Sequence, residues 1–393
     1  MPAAWKERGV SGRIATLACA ALMGTLPQPV FAEDDDAQKK PHSYPYVKGE
    51  LSIEVQHDSI VDADDPDKKG SDTFTTTELE IGSYLSPFFA LHSHFTLEPV
   101  KERGPGEDRF FGDHGLYAEQ LYAKFSFDPF EIDAGKIRLP FGRAWDDTPG
   151  IYGTDIADDY KVTERIGAGV SASREHTAIG KVTVHAATFF ADTTFLSDSL
   201  FTSRGRRDRA DGGLSNTERF DSFLVSLEGE DVPGLAGVSY NLGFVHQAAG
   251  VDDRDDQNGF VFGLKKEHTY NNVKFEWIGE TAYFDYGGDL YDTDDPTLFV
   301  ESLWYWTLGG RATFNDRYRV NAAYTARNAE LFNGTEFNDY QLAASAGVKL
   351  WRDWWLDAGY RFLSEQDDDS HYVGLLLSRT IEFETGVLES MNR

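Results

Sequence analysis

His92-Ser93-His94 places a hydroxyl nucleophile between two imidazole bases, the residue types that nucleophilic hydrolysis requires. In a strand, however, successive side chains point to opposite faces, so Ser93 faces away from both histidines and neither can activate it. Asp62-Ala63-Asp64-Asp65-Pro66-Asp67 resembles a calcium loop in its density of carboxylates, but proline and aspartate stand where that loop needs an alternating ligand and a glycine. The sole cysteine, Cys19, lies near the N-terminus. No catalytic residue, resident metal or cofactor is expected, and the chain is not expected to be an enzyme.

Two charged loops offer binding chemistry instead. Arg204, Arg206, Arg207 and Arg209 present guanidinium forks suited to carboxylate or phosphate, so the loop 192-218 reads as a candidate anion-binding loop. Its ligand is lipopolysaccharide phosphate, another anion or an acidic neighbour in the same chain; the last, or simple solvation, is the plainer reading. The loop 141-160 has the opposite balance, with Asp146, Asp147, Asp155, Asp158 and Asp159 against Arg143. Loops 58-72, 248-257, 285-298 and 365-369 together hold nineteen acids against three bases. They attract cations to a mouth or form a solvated rim screened within roughly 8 Å.

Such loops need a scaffold, and the sequence specifies one built of strands. Lys6, Arg8 and Arg13 precede an apolar run from Ile14 to Leu26, and Val30-Phe31-Ala32 offers a cleavage site, so residues 1-32 read as a signal peptide with the mature chain starting at Glu33. A lipoprotein signal ending at Cys19 is the alternative, but few apolar residues precede that cysteine. The formal charge of −29 becomes more negative once the signal is removed, which excludes nucleic acid as a partner. Hydrophobic residues at 40% are too few for an ordinary globular core while aromatics at 14% are abundant, a combination that suits a barrel with a polar lumen and aromatic belts.

Period-two alternation runs from residue 46 to residue 383. Val47, Leu51, Ile53 and Val55 share one face of the first strand, and Lys48, Glu50, Ser52, Glu54 and Gln56 share the other. Continued along the chain, this pattern predicts about sixteen strands, the first over 46-57, the fifth over 130-140 and the last over 371-383. Short turns at Ser86-Pro87, Asp128-Pro129, Asn315-Asp316-Arg317 and Arg352-Asp353 alternate with long polar loops, including 329-338 and 365-370. The fold class expected is therefore all-β, a transmembrane antiparallel barrel with short periplasmic turns and long extracellular loops. Phe88, Phe127, Phe130, Tyr318, Trp351 and Trp354 gather at the short turns as a periplasmic girdle. Residues 33-45 form a short periplasmic segment with no room for a plug, 46-383 the barrel, and 384-393 a C-terminal extension. Arg379 falls among apolar positions of the last strand, which is costly at mid-membrane.

From Ala134 to Gly142 the apolar phase switches at Gly135, where a bulge is expected to turn Lys136 and Arg138 toward the lumen. This Gly135-Lys136 to Pro140-Phe141-Gly142 stretch, with the strand Leu116 to Phe127 before it and Glu164-Arg165 after it, resembles the phosphate-selective porin O/P family and the LbtU-type siderophore porins. The resemblance is specific over about 60 residues and architectural elsewhere. It implies a sixteen-stranded barrel whose third outer loop, here 141-160, folds inward. The chain departs from the phosphate-selective pattern in its acidic loop, because an acidic constriction repels phosphate.

The expectation is a Gram-negative outer-membrane channel for small polar solutes with mild cation preference. A siderophore or oligosaccharide porin and a non-conducting structural barrel are the alternatives. The loop aspartates are expected to stand across the lumen from the pore-lining bases Lys136, Arg138, Arg165 and Arg319, creating a transverse field. Trp145, Tyr152 and Tyr160 offer a surface for sugar rings or aromatic siderophore groups, with packing against the wall as the plainer role. Expected partners are outer-membrane lipid, lipopolysaccharide and small solutes, with a homotrimer as one open assembly.

Overall fold

The computed structural model describes residues 43-176, 178-290 and 298-386. The expected signal peptide, most of the segment 33-45, residues 387-393 of the expected extension, and Asp292, Asp294 and Asp295 of the acidic loop lie outside the described residues.

Sixteen long antiparallel strands form one closed sheet. They are β1 Tyr46–Ala63, β2 Gly70–Ser86, β3 Phe89–Pro99, β4 His114–Phe127, β5 Phe130–Ile137, β6 Arg165–His176, β7 Gly180–Ala191 and β8 Ser222–Glu230. The second half comprises β9 Val238–Gln247, β10 Gln257–Tyr270, β11 Val273–Phe284, β12 Val300–Phe314, β13 Tyr318–Leu331, β14 Glu336–Lys349, β15 Trp355–Glu365 and β16 Asp368–Gly386. Each strand pairs with its chain neighbours, and β16 closes the barrel on β1 from Tyr46↔Gly386 to Ala63↔Ser370. Closure leaves no free sheet edge, the condition for a sheet to sit in lipid.

Alternation places the faces as expected. Ser52, Glu54 and Gln56 are buried inside while Leu91, Leu121, Leu242 and Leu342 are exposed outside. Phe88 and Phe127 stack at 6.3 Å on the short-turn rim, where Phe130, Tyr318 and Trp351 are also exposed. Arg379 shares the outward parity of Ile53, its ladder partner, and its guanidinium lies 6.0 Å from the Trp354 ring. It therefore sits at the aromatic rim and not at mid-barrel, which removes the apparent cost.

Several expected boundaries differ. β1 runs to Ala63 and β2 starts at Gly70, so most of the polar segment 58-72 is paired strand, held by side-chain bonds such as Ser59 to Ser71 at 3.1 Å. A strand that projects beyond an apolar layer is polar on both faces and reads as loop. For the same reason, 329-338 and 365-370 are mostly strand. The latter reduces to a hairpin turn with positive φ at Gln366 and Asp367. At the other extreme β5 stops at Ile137, short of the expected 140.

That short strand leaves the outer end of β4 without its neighbour. Leu200–Phe201, from the loop 192-221, takes the vacancy by pairing with Gly115 and Leu116. The chain released from β5, residues 138-164, enters the barrel as the third outer loop, L3, with a helical turn at Ala144–Asp147 and a 3-10 turn at Ala157–Tyr160.

Candidate constriction site

L3 enters the barrel through a backbone that only glycine fits. At Gly135 φ is +141°, and a Cβ there would meet the Leu121 carbonyl oxygen at 2.5 Å. The ladder from β4 through β5 to β6 continues across it with no register shift, so Gly135 is not a bulge. The bulge lies at Glu119, where β3 pairs His94 with Gln120 and then Phe95 with Ala118. The sequence did carry the signal: the apolar positions of β4 pass from Leu116 and Ala118 to Leu121, Ala123 and Phe125, an even-to-odd switch.

Glu280 of β11 then anchors the loop at both ends. Its carboxylate accepts from the backbone N–H of Arg143 at 2.8 Å and of Ala144 at 2.9 Å, from the Tyr160 hydroxyl at 2.7 Å and from the Asn241 amide at 3.0 Å. Gly142, with φ +71°, leaves room for this, since a Cβ would stand 2.8 Å from Glu280 Oε1. Between the anchors, Phe141, Trp145 and Tyr160 pack against Val261, Phe284 and Tyr305 on the inner wall. Full burial of each large side chain contributes roughly 1.5–3 kcal/mol, so this apolar seal holds L3 against the wall. Ile151 and Tyr152 pack farther round, against Ala323, Ala343 and Leu376. Trp145, Tyr152 and Tyr160 thus take the packing role rather than offering an open ring surface.

Four of the five aspartates do not face the bases expected of them, whereas Asp146 is the foremost counter-charge of Arg138. Asp147 pairs with Lys265 at 3.2 Å, Asp155 with Arg361, Asp158 with Lys161 at 2.7 Å and Asp159 with Arg327 at 2.7 Å. Asp146 is buried beside Asp147 in the helical turn. Arg143 pairs with Glu228 at 3.1 Å. Burial lifts Asp155 to about 7 and Asp159 to about 6, each against the pull of its arginine.

The four expected pore bases separate. Lys136, 1% exposed, is enclosed in the wall by Glu164 at 2.7 Å, Asp192 at 2.8 Å and the Leu196 carbonyl at 2.9 Å, so it does not line a lumen. Its ladder partners Leu121 and Ile166 lie on the outward parity, and Asp192 and Leu196 of the loop 192-221 cover it together with Glu164. Arg165 donates to Gln247 at 3.4 Å, and Arg319 pairs with Asp357 at 2.5 Å. Arg138 alone stands at the constriction, 5.4 Å from the Trp145 ring. Burial works against its charge, but Asp146, Glu119, Glu80 and Glu78 more than restore it.

The arginine loop is directed inward as well. Arg204 donates to both oxygens of Glu164, at 2.9 and 2.5 Å, and lies 3.8 Å from the Tyr117 ring. Arg204 and Lys136 hold Glu164 below the ordinary carboxylate range despite its burial. Arg206 donates to the Thr193 carbonyl, Arg207 bonds through its backbone to Ser197, and Arg209 is exposed on a short turn. The four guanidiniums do not converge on one anion site.

With L3 packed against β7 to β14 and, through Tyr152 and Asp155, against β15 and β16, the charged surface left facing it belongs to β1 to β4. Glu50, Glu80, His94 and Gln120 form one level of that wall, and Ser52, Glu78, Thr96 and Tyr117 the next. The bulge adds Glu119, whose carboxylate lies 3.5 Å from His94 Nδ1. Opposite stand Arg138 and Lys161, the latter kept charged against burial by Asp158 and Glu119. Here the acids stand on the wall and the facing bases on the loop, the reverse of the expected arrangement.

This architecture is that of outer-membrane β-barrels. The structure is similar to the outer membrane channel DcaP of Acinetobacter baumannii, at TM-score 0.57 and 11% identity over 87% of this chain and 99% of that one. It is likewise similar to Pseudomonas putida OprB, at TM-score 0.59 and 11% identity over 86% and 94%. The outer membrane protein OpdK from Pseudomonas aeruginosa matches at 0.51 and 11% over 86% and 99%. No protein-family model and no curated protein matches the sequence, so the likeness to the phosphate-selective O/P and LbtU-type porins stays a resemblance.

Proposed function

We propose that the chain is a porin-like channel of the Gram-negative outer membrane, exported through its signal peptide, which passes small polar solutes with mild cation preference. The observation that carries this reading is L3 lying inside a closed barrel, with an apolar seal on one side and opposed charges on the other. A purely structural barrel has no need of such a charged face. Opposed charges orient polar solutes, and an excess of wall carboxylate favours cations. Lipid and lipopolysaccharide surround the barrel on this reading, and a homotrimer is one assembly compatible with it.

Reversal potential in planar bilayers under a salt gradient tests it. Stable conductance steps with modest cation selectivity are expected, weakened in the Glu80→Gln and Glu119→Gln variants. Asp147→Asn is also expected to lower cation selectivity, because it leaves the Lys265 charge uncompensated. A silent barrel, or anion selectivity in the unaltered protein, overturns the reading.

A further inference from the structure

The wall of the constriction holds more carboxylates than L3 holds bases. Glu54, Glu78, Glu80, Glu98 and Glu119 lie on β1 to β4; from the loop Arg138 faces Glu78, Glu80 and Glu119, and Lys161, already bonded to Asp158 at 2.7 Å, faces Glu98 and Glu119. At the centre His94, 3% exposed, has Nδ1 at 3.7 Å from Glu80 and 3.5 Å from Glu119, and Nε2 at 3.9 Å from Glu78. Even a protonated His94 leaves acid in excess.

A second observation is independent of charge. Glu54 Oε2, His94 Nε2 and Thr96 Oγ1 have no hydrogen-bond partner, although their residues are only 7%, 3% and 2% exposed. Glu54 is the inward position after Ser52 on β1, so the three unpaired atoms occupy adjacent levels of one wall. Buried polar atoms of folded proteins are as a rule partnered, and carboxylates crowded away from water take up either protons or a cation.

We propose that this wall is a binding subsite for an organic cation bearing ammonium or guanidinium groups, taken from solutes crossing the constriction. The inference rests on the channel reading and names the class of solute the channel handles. L3 itself presents one guanidinium, Arg138, to Glu78, Glu80 and Glu119, and one ammonium, Lys161, to Glu98 and Glu119. The wall therefore accommodates both head groups. Among the described residues no group of three His, Asp or Glu side chains is set to hold a metal ion. Carboxylates spread over four strands suit a cation that donates several hydrogen bonds in different directions.

The probe is butane-1,4-diamine, with butane-1,4-diol as the uncharged control, on the full chain in detergent and in planar bilayers. The diamine is expected to interrupt the current and to bind by calorimetry, and the diol to do neither. Glu80→Gln and Glu119→Gln should each weaken diamine binding by about tenfold, the loss of one hydrogen bond to a charged group. Heat-modifiable gel mobility checks that the barrel is intact, and Thr96→Val, which keeps side-chain shape, should also weaken binding. Undiminished binding in the Glu80→Gln, Glu119→Gln double variant overturns the site. A conducting channel indifferent to the diamine overturns the site and leaves the channel reading intact. Diamine binding in a barrel that does not conduct upholds the site and overturns the channel reading. If the double variant alters only the pH dependence of conductance and the diamine does not bind, the wall takes up protons and the proposal fails.

Discussion

The Glu280 carboxylate accepts the Tyr160 hydroxyl proton at 2.7 Å and thereby ties the end of L3 to the strand that also holds its beginning at Arg143 and Ala144. Glu280→Leu strands these buried donors, at about 1–3 kcal/mol for each one left unsatisfied. Larger single-channel conductance and faster proteolysis within 141-160 are expected. A variant indistinguishable from the parent in both would show that the loop is held by its apolar seal alone.

Asp357 and Arg319 form a bidentate pair inside the barrel, at 2.8 and 2.5 Å. Asp357→Leu alone leaves the part-buried guanidinium of Arg319 without its bidentate partner and should cost up to about 3 kcal/mol. The Asp357→Leu, Arg319→Leu double variant should recover most of that loss in urea unfolding from detergent. Equal losses in the single and double variants would mean the two residues are not energetically coupled.

Leu342 is exposed on the outward face near the middle of β14, whereas Arg379 sits over Trp354 at the rim. Leu342→Arg is expected to cost about 2–4 kcal/mol, and Arg379→Leu to change stability by no more than about 1 kcal/mol. Folding yields into lipid vesicles read both. A tolerated arginine at 342 would displace the assigned membrane level.

Asp159, Asp339 and Glu365 share the guanidinium of Arg327 at 2.7, 2.6 and 2.7 Å. Burial raises Asp159 from 3.8 to about 6 against the pull of Arg327, so the docked loop keeps this proton to higher pH than the released loop. The Asp159 contribution to docking is therefore full below 3.8, is lost as pH rises from there to about 6, and is level above it, while Asp155, lifted to about 7, carries the same trend to that pH. The full effect is at most about 3 kcal/mol. Proteolysis of L3 should accelerate across that window and lose much of its slope in Asp159→Asn. The opposite slope in the parent protein would refute the assignment.

Strand number, inward and outward faces and the aromatic rim were legible in the sequence because each follows from the alternation of neighbouring side chains. The phase switch in β4 is equally local, but Gly135 reads as the bulge because glycine advertises backbone freedom, while a bulge is defined by the pairing of two strands. That misplacement hid Glu119, the carboxylate the bulge adds to the wall. The extended strands at 58-72 and 329-338 were hidden for another reason: outside the apolar layer both faces are polar and period two disappears.

Tertiary structure alone decided which charges meet. Asp147 and Lys265 are 118 residues apart, and Asp155 and Arg361 are 206 apart. No local pattern links such partners. Their pairing depends on where a closed sheet brings β10 and β15 opposite an inturned loop, and on inward apolar positions such as Val261 and Phe284 that draw the loop to that side. The sequence determined that the lumen is charged. Burial of L3 against one wall determined which acids are neutralised there and left the carboxylates of β1 to β4 facing Arg138 and Lys161, because a charge withdrawn from water must find its counter-charge within a few ångströms.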